Sequence, residues 1–296
     1  MKTVDAPIRI DIKNVLVATD FSPAGSAALP YAGDIAKRYG ANLYALHVRP
    51  PAVNPMTQPA TWPALIEAAE KETKAQEQML REAIPWMETK TIVREGDLWS
   101  VLASEIERNH IDLLVVGTRG RTGVRKFFLG SVAEEILRQA PCPVLTVGPS
   151  SESEFRRGQI SEILCAVSFT PEMKKSVEYA LSLAQEFQAR LTMLHVITEP
   201  KACEIVTPEQ LKGACEHLLR EMIPPESEEW CKARFVVEQG PIAEKILDVA
   251  NRNKTDMIVL GAHKPSGFPG AATHLPIATA HKVVSHANCP VLTVRG

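Results

Sequence analysis

The chain has 296 residues, 45% of them hydrophobic and 23% charged, with a formal net charge of −2. That length allows two ordinary domains, each with its own core, and the charge balance gives no electrostatic reason to expect nucleic acid as a partner. No stretch approaches the roughly 18 consecutive apolar residues of a membrane span, and residues 1–12 lack the apolar core of a signal peptide, so a cytoplasmic protein without membrane contact is expected.

In chain order, hydrophobic periodicity predicts strands near 13–19, 42–48, 88–94, 111–117 and 142–147, and helices near 23–39, 64–83, 97–109 and 131–139. The apolar runs Val15-Leu16-Val17-Ala18 and Leu113-Leu114-Val115-Val116 read as buried parallel strands. The segment from Pro50 to Pro63 carries five prolines, which predict a long loop after the second strand. After the fourth strand comes Gly117-Thr118-Arg119-Gly120, then nine residues, then Gly130-Ser131 and the apolar spacing of a helix. A glycine-rich loop between a strand and a helix N-terminus presents backbone N–H groups to an anion, and glycine suits it by accepting positive φ and admitting close approach. Arg119, Arg121, Arg125 and Lys126 add positive charge, as ligand contacts or equally as a solvated face. The chemistry suggested is binding of a polyphosphate.

The unit then repeats. Val15 to Pro23 lines up with Ile163 to Pro171, and Leu46-His47-Val48 with Leu194-His195-Val196, both at an offset of 148. The run from Asp112 to Gly117 matches Asp256 to Gly261 at 144, and Cys142 to Val147 matches Cys289 to Val294 at 147. The second copy is therefore shorter by four residues between its second and fourth strands and longer by three in its loop. Ser150 to Gly158 is polar and aperiodic and reads as a linker. Domains are expected at 1–149 and 159–296, each with strands alternating with helices, the pattern of a parallel sheet covered on both faces.

The spacing G-x2-G-x9-G-[ST], with Val-Leu-Val-Ala-Thr-Asp20-Phe-Ser before it and Pro141-Cys142-Pro143-Val144-Leu145 after it, resembles the universal stress protein family, and the resemblance covers nearly the whole chain because the unit occurs twice. It implies an α/β fold of two tandem doubly wound, Rossmann-like domains of the adenine-nucleotide alpha-hydrolase type. Each would hold a five-stranded parallel sheet with first and fourth strands adjacent, and the two would pair through their last strands as an intramolecular pseudo-dimer. It also implies ATP as ligand, with Mg²⁺ or Mn²⁺ beside the phosphates, and a role in stress response.

On this resemblance Thr19 and Val48 match positions that touch the base, Val48 through backbone, and Asp20 matches the residue that takes the ribose hydroxyls. Gly117, Gly120, Gly130 and Ser131 match the phosphate pattern, and Val132 offers its backbone N–H. Each has a plainer alternative. Asp20 could cap the helix that begins at Pro23, although Ser22 fits that role at least as well. Val48 is a strand residue, and Ser131 could be the N-cap of the following helix. His47 and His195, present in both copies, read as packing.

The second copy departs from the pattern. Ser168 stands for Asp20 and Lys264 for Gly120, and Pro265, Pro269 and Pro276 remove backbone donors. Counting nine residues past Lys264 puts His274-Leu275 at the Gly-Ser position; counting back from the last strand puts Ile277-Ala278 there. This half is expected to keep the fold and lose the nucleotide.

Of the six cysteines, Cys142 and Cys289 are expected inside strands and the set as buried thiols; Cys203, Cys215, His217 and Cys231 match no zinc spacing. With no Gly-x4-Gly-Lys-[Ser/Thr] loop in the sequence, the readings open are a nucleotide-dependent regulator with a protein partner, a slow ATP hydrolase or adenylate-transferring enzyme, and an interaction scaffold with structural nucleotide. Pairing of whole chains is compatible with all three.

Overall fold

A computed structural model describes residues 10–50, 62–118, 130–148, 160–170, 173–198, 207–262 and 275–295. The strands of the first repeat are β1 (Asn14–Ala18), β2 (Asn42–Arg49), β3 (Thr89–Glu95), β4 (Leu113–Gly117) and β5 (Val144–Val147), and its helices α1 (Pro23–Tyr39), α2 (Trp62–Ala83), α3 (Leu98–Arg108) and α4 (Ser131–Gln139). The second repeat follows the same order: β6 (Glu162–Ala166), α5 (Met173–Phe187), β7 (Arg190–Ile197), α6 (Pro208–Glu221), a 3₁₀ turn at Pro225–Glu229, β8 (Arg234–Gln239), α7 (Ile242–Asn253), β9 (Met257–Ala262), α8 (Leu275–His286) and β10 (Val291–Arg295).

All ten strands form one sheet in the order β3-β2-β1-β4-β5-β10-β9-β6-β7-β8. Every neighbouring pair is parallel except β5 and β10, which run antiparallel with Leu145 opposite Leu292. The last strands thus join the repeats, and each protects the other's edge, which would otherwise be a row of unpaired amides. β1 lies beside β4, and β6 beside β9. The chain moves outward from β1 to β3 and then returns to β4, so the strand order reverses between β1 and β4, the place where open α/β sheets bind ligands.

One sheet face carries a core that crosses the junction: Ile35 and Leu80 of the first repeat, Leu145 and Leu292 at the centre, Leu183 and Leu219 of the second. Its covering helices α1 and α5 touch through the Tyr39 and Ser182 hydroxyls at 2.9 Å, and Arg38 donates to the Glu186 carbonyl at 2.8 Å while lying 4.2 Å over the Phe187 ring. On the other face α3 and α4 cover the first repeat and α7 and α8 the second. The repeats meet there through Ala133 of α4, which packs in the second repeat's cluster, and Arg295, which donates to the Leu137 carbonyl.

Local signals set the helix that begins the site. Ser22 is the N-cap of α1, its hydroxyl accepting from Gly25 N–H at 3.1 Å; Pro23 follows at the first turn, and Gly40 ends the helix at φ 68°. Two expectations need correction. Pro63 lies inside the first turn of α2 rather than in a loop, because first-turn amides have no intrahelical acceptor to lose; residues 51–61 lie outside the described residues. Cys142 and Cys289 are buried in the bends just before β5 and β10, not within the strands.

Candidate functional site

β1 and β4 end side by side, and the turns that leave them form the walls of a crevice of about 190 Å³. Thr19, Asp20, Val48, Gly117, Gly130 and Val132 all line it, over an apolar floor made by Leu46, Leu98, Leu102, Val116 and Ile136. Six of the eight residues singled out in the sequence therefore meet at one place. Gly120 lies outside the described residues, as do Arg119, Arg121, Arg125 and Lys126. Ser131 is the first residue of α4.

The turn after β1 is held by its own side chains. Thr19 Oγ1 accepts from Phe21 N–H at 3.0 Å and Asp20 Oδ1 accepts from Ser22 N–H at 3.0 Å, which supports Phe21 at φ 59°. Ser22, not Asp20, caps the helix, so the plainer alternative for Asp20 falls away; its carboxyl shapes the turn and lines the crevice. Positive φ at a bulky aromatic residue is uncommon and is retained only where surroundings fix it. Here they include the His47 ring, 4.6 Å from the Phe21 ring, with His47 Nδ1 donating to the Thr19 carbonyl at 2.8 Å. The second repeat has the same brace: His195 Nδ1 donates to the Val167 carbonyl at 2.9 Å, and Phe169 lies 4.3 Å from the His195 ring. Both histidines tie the end of a repeat's first strand to its second strand.

The glycines differ in what they serve. A Cβ on Gly117 would lie 2.6–2.7 Å from the backbone of Ala24 and Gly25, so Gly117 lets the first turn of α1 close against the end of β4. Gly25, which the sequence reading missed, does the same for the Thr19 and Asp20 side chains, 2.7 and 2.8 Å from where its Cβ would be. Gly130 is another matter. It has φ −62° and ψ 146°, open to any residue, and a Cβ there would sit at an ordinary 3.5 Å from the Thr118 carbonyl. Positive φ is therefore not its purpose, and it, rather than Ser131, occupies the N-cap position of α4. Nothing within the described chain requires glycine at 130. Beside it Val132 is 42% exposed into the crevice.

The second repeat has a matching crevice of about 170 Å³, lined by Ser168, Met173, His195, Val196, Leu260 and Gly261 among others. Thr279 and Ala280 line it where Val132 and Ala133 line the first. That equivalence selects the alignment counted back from the last strand: Ile277-Ala278 stands at Gly130-Ser131, within α8 instead of at a helix start. Lys264, Pro265 and Pro269 lie outside the described residues.

Burial pushes the Cys142 thiol up to about 11 and the Cys165 thiol to about 12. Cys215 and Cys231 are buried in the core, whereas the His217 ring is exposed 3.2 Å from Glu221. Among the described residues no three His, Cys, Asp or Glu side chains converge as metal ligands would, and no helix is long and apolar enough to cross a membrane.

The sequence model of the universal stress protein family matches residues 11–148 and again 160–295. A universal stress protein of Methanocaldococcus jannaschii, MJ0531, is 32% identical over 46% of this chain and 81% of its own length. Slr1230 of Synechocystis is 24% identical over 96% of this chain and its own full length. In the solved structures, a universal stress protein from Archaeoglobus fulgidus shares the fold over 97% of this chain and 98% of its own, at TM-score 0.68 and 19% identity.

Proposed function

Because the chain belongs to the universal stress protein family, we propose that its first repeat binds ATP and that the bound nucleotide regulates contacts with a protein partner in a stress response. The observation that carries this is Gly130: a glycine at the mouth of the switch-point crevice whose missing side chain serves no packing within the described chain. Space without a Cβ at the head of α4 is what close approach of a phosphate to backbone N–H groups needs.

The residues present fit the nucleotide. Gly130, Ser131 and Val132 open α4 and would direct first-turn amides at phosphate. Asp20 would accept from ribose hydroxyls through its carboxylate, and Val48, Leu98 and Val116 give the base an apolar wall. Thr19 lines the same wall, and Gly120 would offer its backbone to the phosphates. Asp20 is the one carboxylate lining the crevice among the described residues, and residues 119–129 contain no Asp or Glu. A Mg²⁺ or Mn²⁺ ion would therefore be held mainly by the phosphates, the ordinary arrangement for Mg²⁺. The same single carboxylate favours binding over hydrolysis, since a metal-assisted attack calls for groups to hold the ion and orient water.

Asp20→Asn keeps an acceptor for Ser22 N–H and removes the charge. Titration calorimetry should show ATP affinity reduced about tenfold to a hundredfold, the scale of one charged hydrogen bond. Unchanged affinity would remove Asp20 from the site. The full-length protein should bind one ATP per chain, because Ser168 and Ile277 replace the carboxylate and the helix-start glycine in the second repeat. A calorimetric stoichiometry of two would show that the second crevice takes ATP by other contacts.

A further inference from the structure

The second crevice has not simply decayed. Leu194, Val196, Ile242, Ile246 and Leu260 line it where Leu46, Val48, Leu98, Leu102 and Val116 line the first, so five apolar positions stay apolar. Three polar or open positions have changed together. Val167 replaces Thr19, Ser168 replaces Asp20 and Met173 replaces Gly25. In the first repeat Gly25 sits against the Thr19 and Asp20 side chains; in the second, Met173, Val167 and Ser168 line the crevice at the three equivalent positions. Met173 is 3% exposed, and its thioether lies against Gly261, so an apolar, polarisable group lines the crevice where the first repeat has the bare backbone of Gly25.

The space that remains is about 170 Å³, close to the roughly 150 Å³ of apolar cavities that take up benzene. Leucine, isoleucine and valine walls with a methionine sulfur at one end suit an aromatic ring, which sulfur contacts favourably. Hydrogen-bonding side chains also line this space. His195 lines the crevice, and because its Nδ1 donates to a carbonyl, its Nε2 is an acceptor in the neutral ring. Burial lowers the His195 pKa, with the Val167 hydrogen bond acting the other way, so neutral solution keeps that acceptor. Ser168 adds a hydroxyl.

We infer that the second crevice is a binding site for an uncharged one- or two-ring aromatic molecule bearing an N–H or O–H donor, with the ring between Leu194, Ile246, Leu260 and Met173 and the donor toward His195 or Ser168. The site is separate from the nucleotide crevice and does not depend on that reading.

Indole is the probe. Full-length protein titrated with indole should show saturable one-to-one binding, with Kd on the order of 100 μM, as befits so small a ligand. Saturating ATP should not displace it, and Gly130→Val should leave its affinity within about twofold, because the two crevices share no wall. Thr279→Phe, which puts a ring into the second crevice from its partly exposed edge on α8, should weaken indole at least about tenfold, converted from the loss of a single apolar contact surface, while leaving ATP stoichiometry and melting temperature in place. Indole-3-acetate should bind at least about tenfold more weakly, since among the described residues lining the crevice there is no Lys or Arg to pair with a carboxylate. Absence of saturable indole binding, displacement by ATP, equal binding of the carboxylate, or full binding by a folded Thr279→Phe protein would each overturn the assignment.

Discussion

A chain carrying Gly130→Val will fold normally and bind ATP more than about a hundredfold more weakly than the parent. Position 130 has φ −62° and ψ 146°, so valine meets no backbone strain, and the nearest atom to its Cβ among the described residues is an ordinary 3.5 Å away. The fold loses only the modest preference for glycine over valine at an N-cap, about 1 kcal/mol, which should lower the melting temperature by no more than about 2–4 °C in a protein of this size. The ligand loses far more. Valine methyls would stand between a phosphate and the amides that open α4, and two charged hydrogen bonds at about 1.5–3 kcal/mol each exceed a hundredfold in affinity. Calorimetry with thermal denaturation separates the two effects. Retained ATP binding in a folded Gly130→Val protein would place the phosphates elsewhere.

Leu292→Ala will weaken both repeats at once. Leu292 is 2% exposed and pairs with Leu145, which is fully buried, in the middle of the core that α1 and α5 cover together. Loss of a buried leucine in such a core costs about 2–5 kcal/mol. Because that core belongs to both halves, the loss should appear as one shifted transition. Trp99 reports on the first repeat and Trp230 on the second, so single-tryptophan versions followed in urea give the test. Both probes should move to lower urea together. Leu145→Ala combined with Leu292→Ala should fall short of additivity, since the residues touch one shared space. An unshifted Trp99 transition in Leu292→Ala would mean that the repeats are independent bodies.

Periodicity and repetition made the fold legible because each strand is a continuous apolar run and each helix keeps one apolar face. The expected strand at 42–48 is β2 at Asn42–Arg49, and the expected helix at 131–139 is α4. Adjacency of β1 and β4 came from the family resemblance, since no local signal encodes which parallel strands pair. The site was legible where a residue type matches its chemistry, as at Asp20. It was illegible where the reason lies in a distant element. Gly25 carries no local mark, for its role appears only when Thr19 and Asp20 fold over it. Gly117 sat in a phosphate pattern, yet its immediate reason is contact with Ala24, ninety-odd residues earlier. His47 was read as packing from its recurrence in the second copy, and the structure adds the particular bond, to the Thr19 carbonyl. Between the two candidate alignments of the second loop only the crevice lining could choose, because proline-rich sequence gives no register.

The antiparallel meeting of β5 and β10 has a consequence for how this chain diversified. Strands that run opposite ways in the two halves end on opposite margins of the sheet, so the crevices open in opposite directions and bodies docked on one do not obstruct the other. In a dimer of identical subunits with this geometry, every substitution is imposed on both margins, and a change that spoils one mouth spoils its twin. Joining the subunits in one polypeptide removes that symmetry while guaranteeing each half its mate at any concentration. The interface still has to be kept, and Val144-Leu145-Thr146-Val147 and Val291-Leu292-Thr293-Val294 are identical, whereas the crevices differ at Asp20 and Ser168 and at Gly25 and Met173.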